Sequence, residues 1–396
     1  MILIRYIITA HAFLKNTAED HHMNSKYLHK TPISQHNIPN LLLSAVALCM
    51  LLLSACSTST GNNGNTNTAS TPAVLVTPTV DPTLQNQGDM QLQTFQQWIA
   101  LMQNYNGNTS TYDQQYSSDQ QELQQAKTNA SYKTALAQLH SHVTAIQIPT
   151  MKAESLSLQQ QLQQEVSSWG QKHQYHDTYN NTTYQLGFEY GSTGIGDWVQ
   201  SEISSAQTIA DYQQTIEDLN MYLTNFQALT TNASDKTPYN KIHNTDIQLM
   251  QHYGMMNTKV IVISLEEQAM RVYQNGALVN AFLVTTGRPD KPSPPGIWWV
   301  EGKKSPTVFK ATVPKTSPYW YPDTPINYAM QYHSNGYFIH DSWWRADYGF
   351  GTQFPHQDSS GDVFSSQGSH GCINMQKNNA AWVYNYVENF THIVIY

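Results

Sequence analysis

The spacing of apolar residues changes once along the chain. Between residues 90 and 252 they recur every three or four positions, and the clearest run is Ile209, Tyr212, Ile216, Leu219, Leu223 and Phe226. This period places apolar side chains along one face of a helix. We predict an antiparallel bundle of four or five helices over residues 90–254, with breaks at Asn106–Asn108, at Pro149 and between Gly187 and Gly196.

From Lys259 onward the period is two, which is typical of strands. Val260–Ser264 and Ala269–Tyr273 show it, and Asn275-Gly276 is a pair that favours a tight hairpin turn. Further short runs of this kind follow towards the C-terminus. Residues 255–396 are therefore predicted to form a mainly-β domain, a sandwich or a barrel, behind the N-terminal all-α helical bundle.

The N-terminal region carries an apolar segment, Leu41–Ala55, directly before Cys56. Its fifteen residues are few for a membrane-spanning helix but suit the apolar core of a signal peptide. Residues 1–55 are predicted to be that signal. Residues 56–89 are rich in Ser, Thr, Asn, Gly and Pro and are predicted to be a flexible linker.

The composition argues against some classes of function. The chain has 396 residues, a formal net charge of −8 and only 12% charged residues, and no stretch is rich in Lys and Arg. Binding to nucleic acid depends on such residues to neutralise phosphates, so we do not expect it. The three cysteines, Cys49, Cys56 and Cys372, do not suggest an intramolecular disulfide framework.

The strongest chemical signal is the hexapeptide Ser369-His370-Gly371-Cys372-Ile373-Asn374, with His340 upstream of it. A nearby base makes a thiol nucleophilic, and glycine lets the backbone turn close to a reacting carbonyl. Two other interpretations stay open. Cys372 could be a buried, inert thiol, or it could form a zinc site with His340 and His370, with His356 in the intervening segment. The paired Cys or His spacing of most zinc sites is missing from the sequence, so we expect no metal.

The β region resembles the L,D-transpeptidase catalytic domain, also called the YkuD-type domain, over about residues 257–396. The likeness rests on the strand and hairpin opening, Thr286-Gly287, Pro295-Gly296, the Ile339-His340 strand and, above all, the hexapeptide. It implies that a Cys thiolate attacks the carbonyl of the third residue of a peptidoglycan stem tetrapeptide and expels the terminal D-Ala. A side-chain amine of a second stem then opens the thioester, which gives a 3→3 cross-link without a cofactor.

The resemblance also implies a role for each matching residue. Cys372 is the nucleophile, and His340 is the base, held through the main-chain carbonyl of Asp341. The N–H groups of Gly371 and Cys372 form the oxyanion hole. The thiol is expected to titrate below its free value of about 8.5, with a thiolate–imidazolium ion pair as one option. The residues implied to complete the motif, shape the pocket or contact substrate are His370, Ser369, Asn374 and Trp344.

The chain departs from the family pattern, and other functions stay open. Residues Arg345–Gly368 form an insertion that lengthens the gap between His340 and Ser369 and could act as a lid. Asp341 replaces the usual Gly or Ser, so its side chain either supports His340 or faces solvent. Water in place of the amine would make the protein an L,D-carboxypeptidase, and a lipoprotein that binds the wall without catalysis is a further alternative. The helical region is a spacer, a partner-binding module or a glycan reader.

The tetrapeptide Leu53-Ser54-Ala55-Cys56 resembles a bacterial lipobox. The resemblance implies acylation of Cys56 and cleavage just before it, so that lipid chains anchor the protein. We therefore expect an enzyme on the extracytoplasmic face of the cell membrane that acts on peptidoglycan stem peptides in cell wall biogenesis and cell shape. Carbapenems, which acylate this family, should add to Cys372. The sequence leaves protein partners unknown, and it leaves the start at Met1 or Met23 open.

Overall fold

The computed structural model describes residues 79–317 and 320–396. The predicted signal peptide, Cys56 and most of the predicted linker lie outside the described residues. The chain from Pro78 to Tyr396 forms one unit that holds both the helical and the β region. None of the helices within the described ranges is long and apolar enough to cross a membrane.

Seven α-helices lie between residues 82 and 252 in the described part of the chain. They are α1 (Pro82–Asn104), α2 (Ser110–Gln125), α3 (Asn129–Ala145), α4 (Gln147–Gly170), α5 (Ile195–Ser205), α6 (Ile209–Asn232) and α7 (Asn244–His252). The prediction of four or five helices was therefore too low. Helix α2 shows the reason, because it buries only Asp119 and Leu123 and its sequence carries no apolar period.

Two details of the predicted helix limits were wrong. Helix α1 begins at Pro82, inside the predicted linker, because the Asp81 side chain caps the helix by accepting a hydrogen bond from the Thr83 N–H (2.8 Å). Pro149 ends no helix. It lies in the first turn of α4, where a missing N–H costs no intrahelical bond. The predicted break at Asn106–Asn108 is confirmed, since it separates α1 from α2.

The helices pack on one another, and a hairpin interrupts them. Helix α4 contacts α6 and α1, and α3 contacts α1 and α2. The antiparallel bundle itself stays a prediction. Strands β1 (Gln174–Asp177) and β2 (Thr182–Gln185) form an antiparallel hairpin between α4 and α5 that was not predicted. Its turn includes Asn181 at a φ of 55°, a conformation that Asn tolerates better than most residues.

The C-terminal region is mainly β, as predicted. Its strands are β3 (Lys259–Ser264), β4 (Ala269–Gln274), β5 (Ala277–Leu283), β6 (Gly296–Trp299), β7 (Gly302–Lys304), β8 (Thr307–Phe309), β9 (Thr324–Ile326), β10 (Ala329–His333), β11 (Tyr337–Asp341), β12 (Ile373–Met375) and β13 (His392–Ile395). One sheet has the order β5-β4-β3-β13-β6, another has β12-β11-β10-β7, and β8 pairs with β9. The predicted Asn275-Gly276 turn is confirmed, and both residues have positive φ (51° and 75°).

The two larger sheets are joined beside the hexapeptide. The Asn374 N–H donates to the Thr285 carbonyl (2.8 Å), and the Thr285 N–H donates back to Asn374 (3.0 Å). The Ser369 N–H donates to the Thr286 carbonyl (2.9 Å), and the Arg288 N–H donates to the Ser369 carbonyl (3.1 Å). Helix α8 (Lys377–Tyr386) packs against β10 and β11. Both ends of the hexapeptide are thus fixed to the segment that follows β5.

A buried polar network connects the helical region to the β region. Arg271 on β4 donates to the Asp246 carboxylate on α7 through Nε and Nη2. The hydroxyl groups of Tyr273 and Tyr396 also donate to this carboxylate, each at 2.7 Å. Asn225 on α6 donates to the carbonyl of Ile395 (3.2 Å). Because these groups are shielded from water, their partners must come from both regions at once.

Candidate active site

The predicted base lies on β11, and the predicted nucleophile directly precedes the neighbouring strand β12. Strands β11 and β12 pair in parallel, and His340 is directly opposite Asn374. Cys372 directly precedes β12, two positions before Asn374. The Asn374 side-chain amide reaches Nε2 of His340 (3.1 Å), so the strand pair places the thiol at the start of the strand next to the base.

A tight turn presents Cys372, and Ser369 closes it. The Ser369 hydroxyl donates to the Cys372 carbonyl (2.6 Å) and accepts from the Gly371 N–H (3.0 Å). Gly371 has a φ of +107°, and a Cβ atom there would lie 2.5 Å from Cε1 of Tyr337. Only glycine meets both conditions without strain, since it lacks a Cβ. Ser369 thus shapes the turn, whereas its place in a substrate pocket stays a prediction.

The predicted oxyanion donors are placed by the same turn. The Gly371 N–H is occupied by Ser369, and the Gly371 carbonyl accepts from the hydroxyls of Ser293 (2.8 Å) and Tyr332 (3.2 Å). These contacts orient the peptide between Gly371 and Cys372. The Gly371 N–H would have to leave Ser369 before it could bind an oxyanion, so its role in the oxyanion hole stays a prediction.

The imidazole of His340 is held in one tautomer. Its Nδ1 lies 2.9 Å from the main-chain oxygen of Asp341, which can only accept, so Nδ1 carries the proton. Nε2 then keeps the lone pair and accepts from the Asn374 side-chain amide (3.1 Å). The rings of Phe309 and Trp344 lie at centroid distances of 5.0 Å and 6.1 Å from this imidazole. Asn374 therefore caps the basic nitrogen, and Trp344 lies beside the base.

The thiol and the imidazole are both neutral at neutral pH in this structure. Burial raises the pKa of Cys372 to about 11 and lowers the pKa of His340 to about 4. The sulfur lies 3.9 Å from the Gly336 carbonyl, an acceptor that favours the protonated thiol. The expectation of a thiolate that titrates below 8.5, or of an ion pair with His340, was therefore wrong. The physical reason is the protein packed around both groups, although Cys372 itself is only half-buried.

The Asp341 side chain supports His340 through its charge, which counters the lowering of the His340 pKa by burial. The carboxylate is fully buried, so it does not face solvent. It accepts from the N–H groups of Asn327 (2.8 Å) and Tyr328 (2.7 Å) and from the Asn327 side-chain amide (2.7 Å). Asp341 thus fixes the turn between β9 and β10, and its hydrogen bond to His340 comes from the main chain.

His370 lies at the outer edge of this cluster. The His370 side chain is exposed, and its ring lies 5.8 Å from that of Tyr321. In the described part of the chain, no three His, Cys, Asp or Glu side chains are grouped so that they could hold a metal ion. The zinc alternative built from His340, His370 and Cys372 therefore has no support in the structure.

The insertion Arg345–Gly368 is held by the helical region. Phe354 is fully buried and stacks on Tyr175 and Tyr184 of the β1–β2 hairpin, at centroid distances of 4.6 Å and 5.0 Å. The Arg345 guanidinium donates to the main-chain oxygens of Ser365 (3.0 Å) and, further along, Gln367 (2.8 Å). These contacts fix the middle and the end of the insertion, and its role as a lid stays a prediction.

Several residues around the sulfur were not predicted from the sequence. Burial and the nearness of Cys372 raise the pKa of Tyr321, Tyr332 and Tyr337. Gly336 and Tyr337 directly precede the Phe338-Ile339-His340 strand, so their position in the chain was a usable signal. Tyr321 and Tyr332 come from separate segments, and the sequence offers no sign that they meet at the thiol.

Residues 258–395 match the family model described as the L,D-transpeptidase catalytic domain, YkuD. This segment is a YkuD L,D-transpeptidase catalytic domain. The YkuD domain begins just before β3, ends with β13 and contains the hexapeptide and His340. The helical region precedes it in the chain, so contacts between the two regions are not described by the family match.

Relatives of the YkuD domain come from several bacteria. The chain is 26% identical to L,D-transpeptidase 2 of Mycobacterium tuberculosis over 135 aligned residues. The aligned residues make up 33% of this chain and 27% of that protein. The chain therefore spans about a quarter of that relative. The solved catalytic domain of the E. faecium L,D-transpeptidase is 29% identical, with 35% of this chain and 98% of that one covered and a TM-score of 0.29. The solved L,D-transpeptidase of Mycobacterium smegmatis is 23% identical, with 35% of this chain and 58% of that one covered and a TM-score of 0.29.

Proposed function

We propose that the protein is a peptidoglycan L,D-transpeptidase that works through a thioester on Cys372. The observation that carries the proposal is that, inside the YkuD domain, Cys372 directly precedes β12, which pairs in parallel with the strand that bears His340. The sulfur would attack the carbonyl carbon of the third residue of a stem tetrapeptide, so that a C–S bond forms and D-Ala leaves. The side-chain amine of a second stem would then attack the thioester, which restores the thiol and leaves a 3→3 cross-link.

His340 would act as a general base rather than as the partner of a preformed thiolate. Its lowered pKa of about 4 keeps the ring neutral at pH 7, and Nε2 holds the lone pair. This nitrogen would take the thiol proton as the C–S bond forms and pass it to the departing amine of D-Ala. Asn374, which caps Nε2 in the free protein, has to release the nitrogen when substrate enters.

The group that attacks the thioester distinguishes a transpeptidase from a carboxypeptidase. An L,D-carboxypeptidase would use water on the same thioester, and its product would be a free tripeptide stem. The rings of Phe309 and Trp344 beside His340 favour an amine acceptor, because apolar walls displace water from the base. A wall-binding lipoprotein without catalysis would not need the turn that orients Cys372.

The cell location is part of the proposal. Acylation of Cys56, as the lipobox resemblance implies, would tether the protein to the extracytoplasmic face of the membrane, within reach of peptidoglycan. Expression of the full chain with a labelled fatty acid should label the wild-type protein and leave Cys56→Ser unlabelled. Equal labelling of both would contradict a lipid anchor at this cysteine.

Intact-mass analysis after carbapenem treatment tests the thioester chemistry. The wild-type protein should gain the full mass of one carbapenem, because the β-lactam ring opens without a leaving group. Cys372→Ala should keep its mass and its circular dichroism spectrum. An unmodified, well-folded wild-type protein would contradict the proposal.

Incubation with purified disaccharide-tetrapeptide then identifies the acceptor. A transpeptidase should release D-Ala and form a dimer joined through the two third residues of the stems. A carboxypeptidase should release D-Ala and form the tripeptide alone. Cys372→Ala should do neither, and D-Ala release by this variant would remove the thiol from the reaction.

A further inference from the structure

Trp198 is a residue of the helical region that lies at the edge of the candidate active site. It lies on α5, which is anchored by its buried residues Ile195, Val199 and Ile203. The Trp198 ring stacks on His333 at a centroid distance of 5.2 Å and an interplanar angle of 29°. It also meets Tyr337 edge-on at 6.2 Å. Both contacts are with the YkuD domain, which begins sixty residues later in the chain.

His333 organises the turn that touches the thiol. The Asn335 N–H donates to Nδ1 of His333 (3.1 Å), and the Gly336 N–H donates to the His333 carbonyl (3.1 Å). The Gly336 carbonyl in turn faces the sulfur of Cys372 at 3.9 Å. A shift of the His333 ring would therefore move the backbone against which the thiol rests.

Tyr337 gives a second connection from the same tryptophan. Its ring lies so close to Gly371 that a Cβ atom there would be 2.5 Å from Cε1. Trp298 also contacts Trp198, at 6.4 Å, and its Nε1 donates to the carbonyl of Pro294 (3.1 Å) in the loop before β6. The Gly371–Cys372 turn thus adjoins one ring, Tyr337, that Trp198 contacts directly.

We propose that Trp198 is a positioning residue for Cys372, so that the helical region completes the active site of the YkuD domain. Trp198 acts through His333 and Tyr337 and does not need to touch substrate. Its expected effect on acylation rests on the proposed function, whereas its effect on the exposure of the thiol does not. The helical region then has a role beyond that of a spacer.

Two reactions of Cys372 should respond in opposite directions to Trp198→Ala. Acylation by a carbapenem needs an oriented sulfur, so its rate should fall about 10- to 100-fold, as expected for a misplaced reacting group. Alkylation by iodoacetamide needs only a thiolate that the reagent can reach. A loosened Gly336 turn admits water to the sulfur, so alkylation should become faster and its pH midpoint should move down.

Matched variants separate positioning from general destabilisation. Trp198→Phe keeps an aromatic ring and should restore most of the acylation rate, whereas Trp198→Leu keeps apolar volume alone and should not. The control is Trp169→Ala, because the Trp169 ring stacks on His173 (4.3 Å) and meets Phe226 (6.0 Å), all within the helical region. This control should leave both rates within about twofold of the wild type.

The outcomes distinguish the two proposals. If the wild-type protein is not acylated but Trp198→Ala speeds alkylation, the proposed function fails and the positioning role stands. If Trp198→Ala is folded and both rates stay within twofold of the wild type, the positioning role is wrong. Should Trp198→Ala not fold, Trp198→Leu takes its place, and equal acylation by the Leu and Phe variants would overturn the inference.

Discussion

Replacing Gly371 by alanine should destabilise the protein for two separable reasons. The first is the backbone, because a φ of +107° is a conformation that costs a non-glycine residue about 1–3 kcal/mol. The second is overlap, because the new Cβ would lie 2.5 Å from Cε1 and 3.0 Å from Cδ1 of Tyr337. Overpacking of this kind typically costs about 1–3 kcal/mol, so we expect a total loss of about 2–6 kcal/mol.

Gly336→Ala is a matched control for the backbone contribution. Gly336 has a φ of +89°, but nothing lies within 4 Å of a Cβ built on it. Its replacement should therefore cost the backbone strain alone, about 1–3 kcal/mol. The difference between the two variants measures the overlap with Tyr337.

Urea unfolding followed by circular dichroism gives the two changes in the free energy of unfolding, provided that the slope with denaturant is unchanged. A double-mutant cycle with Tyr337→Ala adds a direct test. In that background the ring is gone, so Gly371→Ala should cost no more than Gly336→Ala does in the wild type. If Gly371→Ala is no more harmful than Gly336→Ala in the wild-type background, the packing of Tyr337 against the turn does not constrain it.

Three further predictions follow from the site and its surroundings. Alkylation of Cys372 by iodoacetamide should rise about tenfold per pH unit from pH 7 to 10, because the raised pKa of about 11 leaves few thiolates below it; a plateau by pH 8 would contradict this. Asp341→Ala should lower the free energy of unfolding by about 2–5 kcal/mol, because the Asn327 N–H and its neighbours lose their acceptor, and Asp341→Asn should cost less. Phe354→Ala should cost about 3–5 kcal/mol in urea unfolding, whereas exposed Phe364→Ala should cost almost nothing; equal losses would argue against the stack on the hairpin.

The parts of the fold that local patterns determine were predictable. The alternation in β3 and β4, the Asn275-Gly276 turn and the order of the hexapeptide all depend on neighbours in the sequence. The β1–β2 hairpin was missed, although Asn180-Asn181 between two Thr- and Tyr-containing stretches is a usable turn signal. The longer apolar runs on either side made the region look wholly helical.

The chemistry of the site was harder to predict than its residues. The resemblance placed Cys372 and His340 in one site, but the charge states depend on burial, which no sequence motif records. Asn374 was expected to shape a pocket, yet it holds the lone pair of the base. The contact of Trp198 with His333 joins residues that are far apart in the chain, so only the tertiary structure reveals it.

The buried pairing of Arg271 with Asp246 bears on how this protein can be divided into fragments. A fragment cut to the family limits of 258–395 would discard Asp246 and Tyr396 and leave Glu267 as the carboxylate partner of the Arg271 guanidinium. Removal of one partner of a buried ion pair costs about 3–5 kcal/mol, a large share of the stability of a typical domain. The limits of the family match thus exclude groups that complete the buried network, and expression of residues 258–395 alone should yield insoluble material.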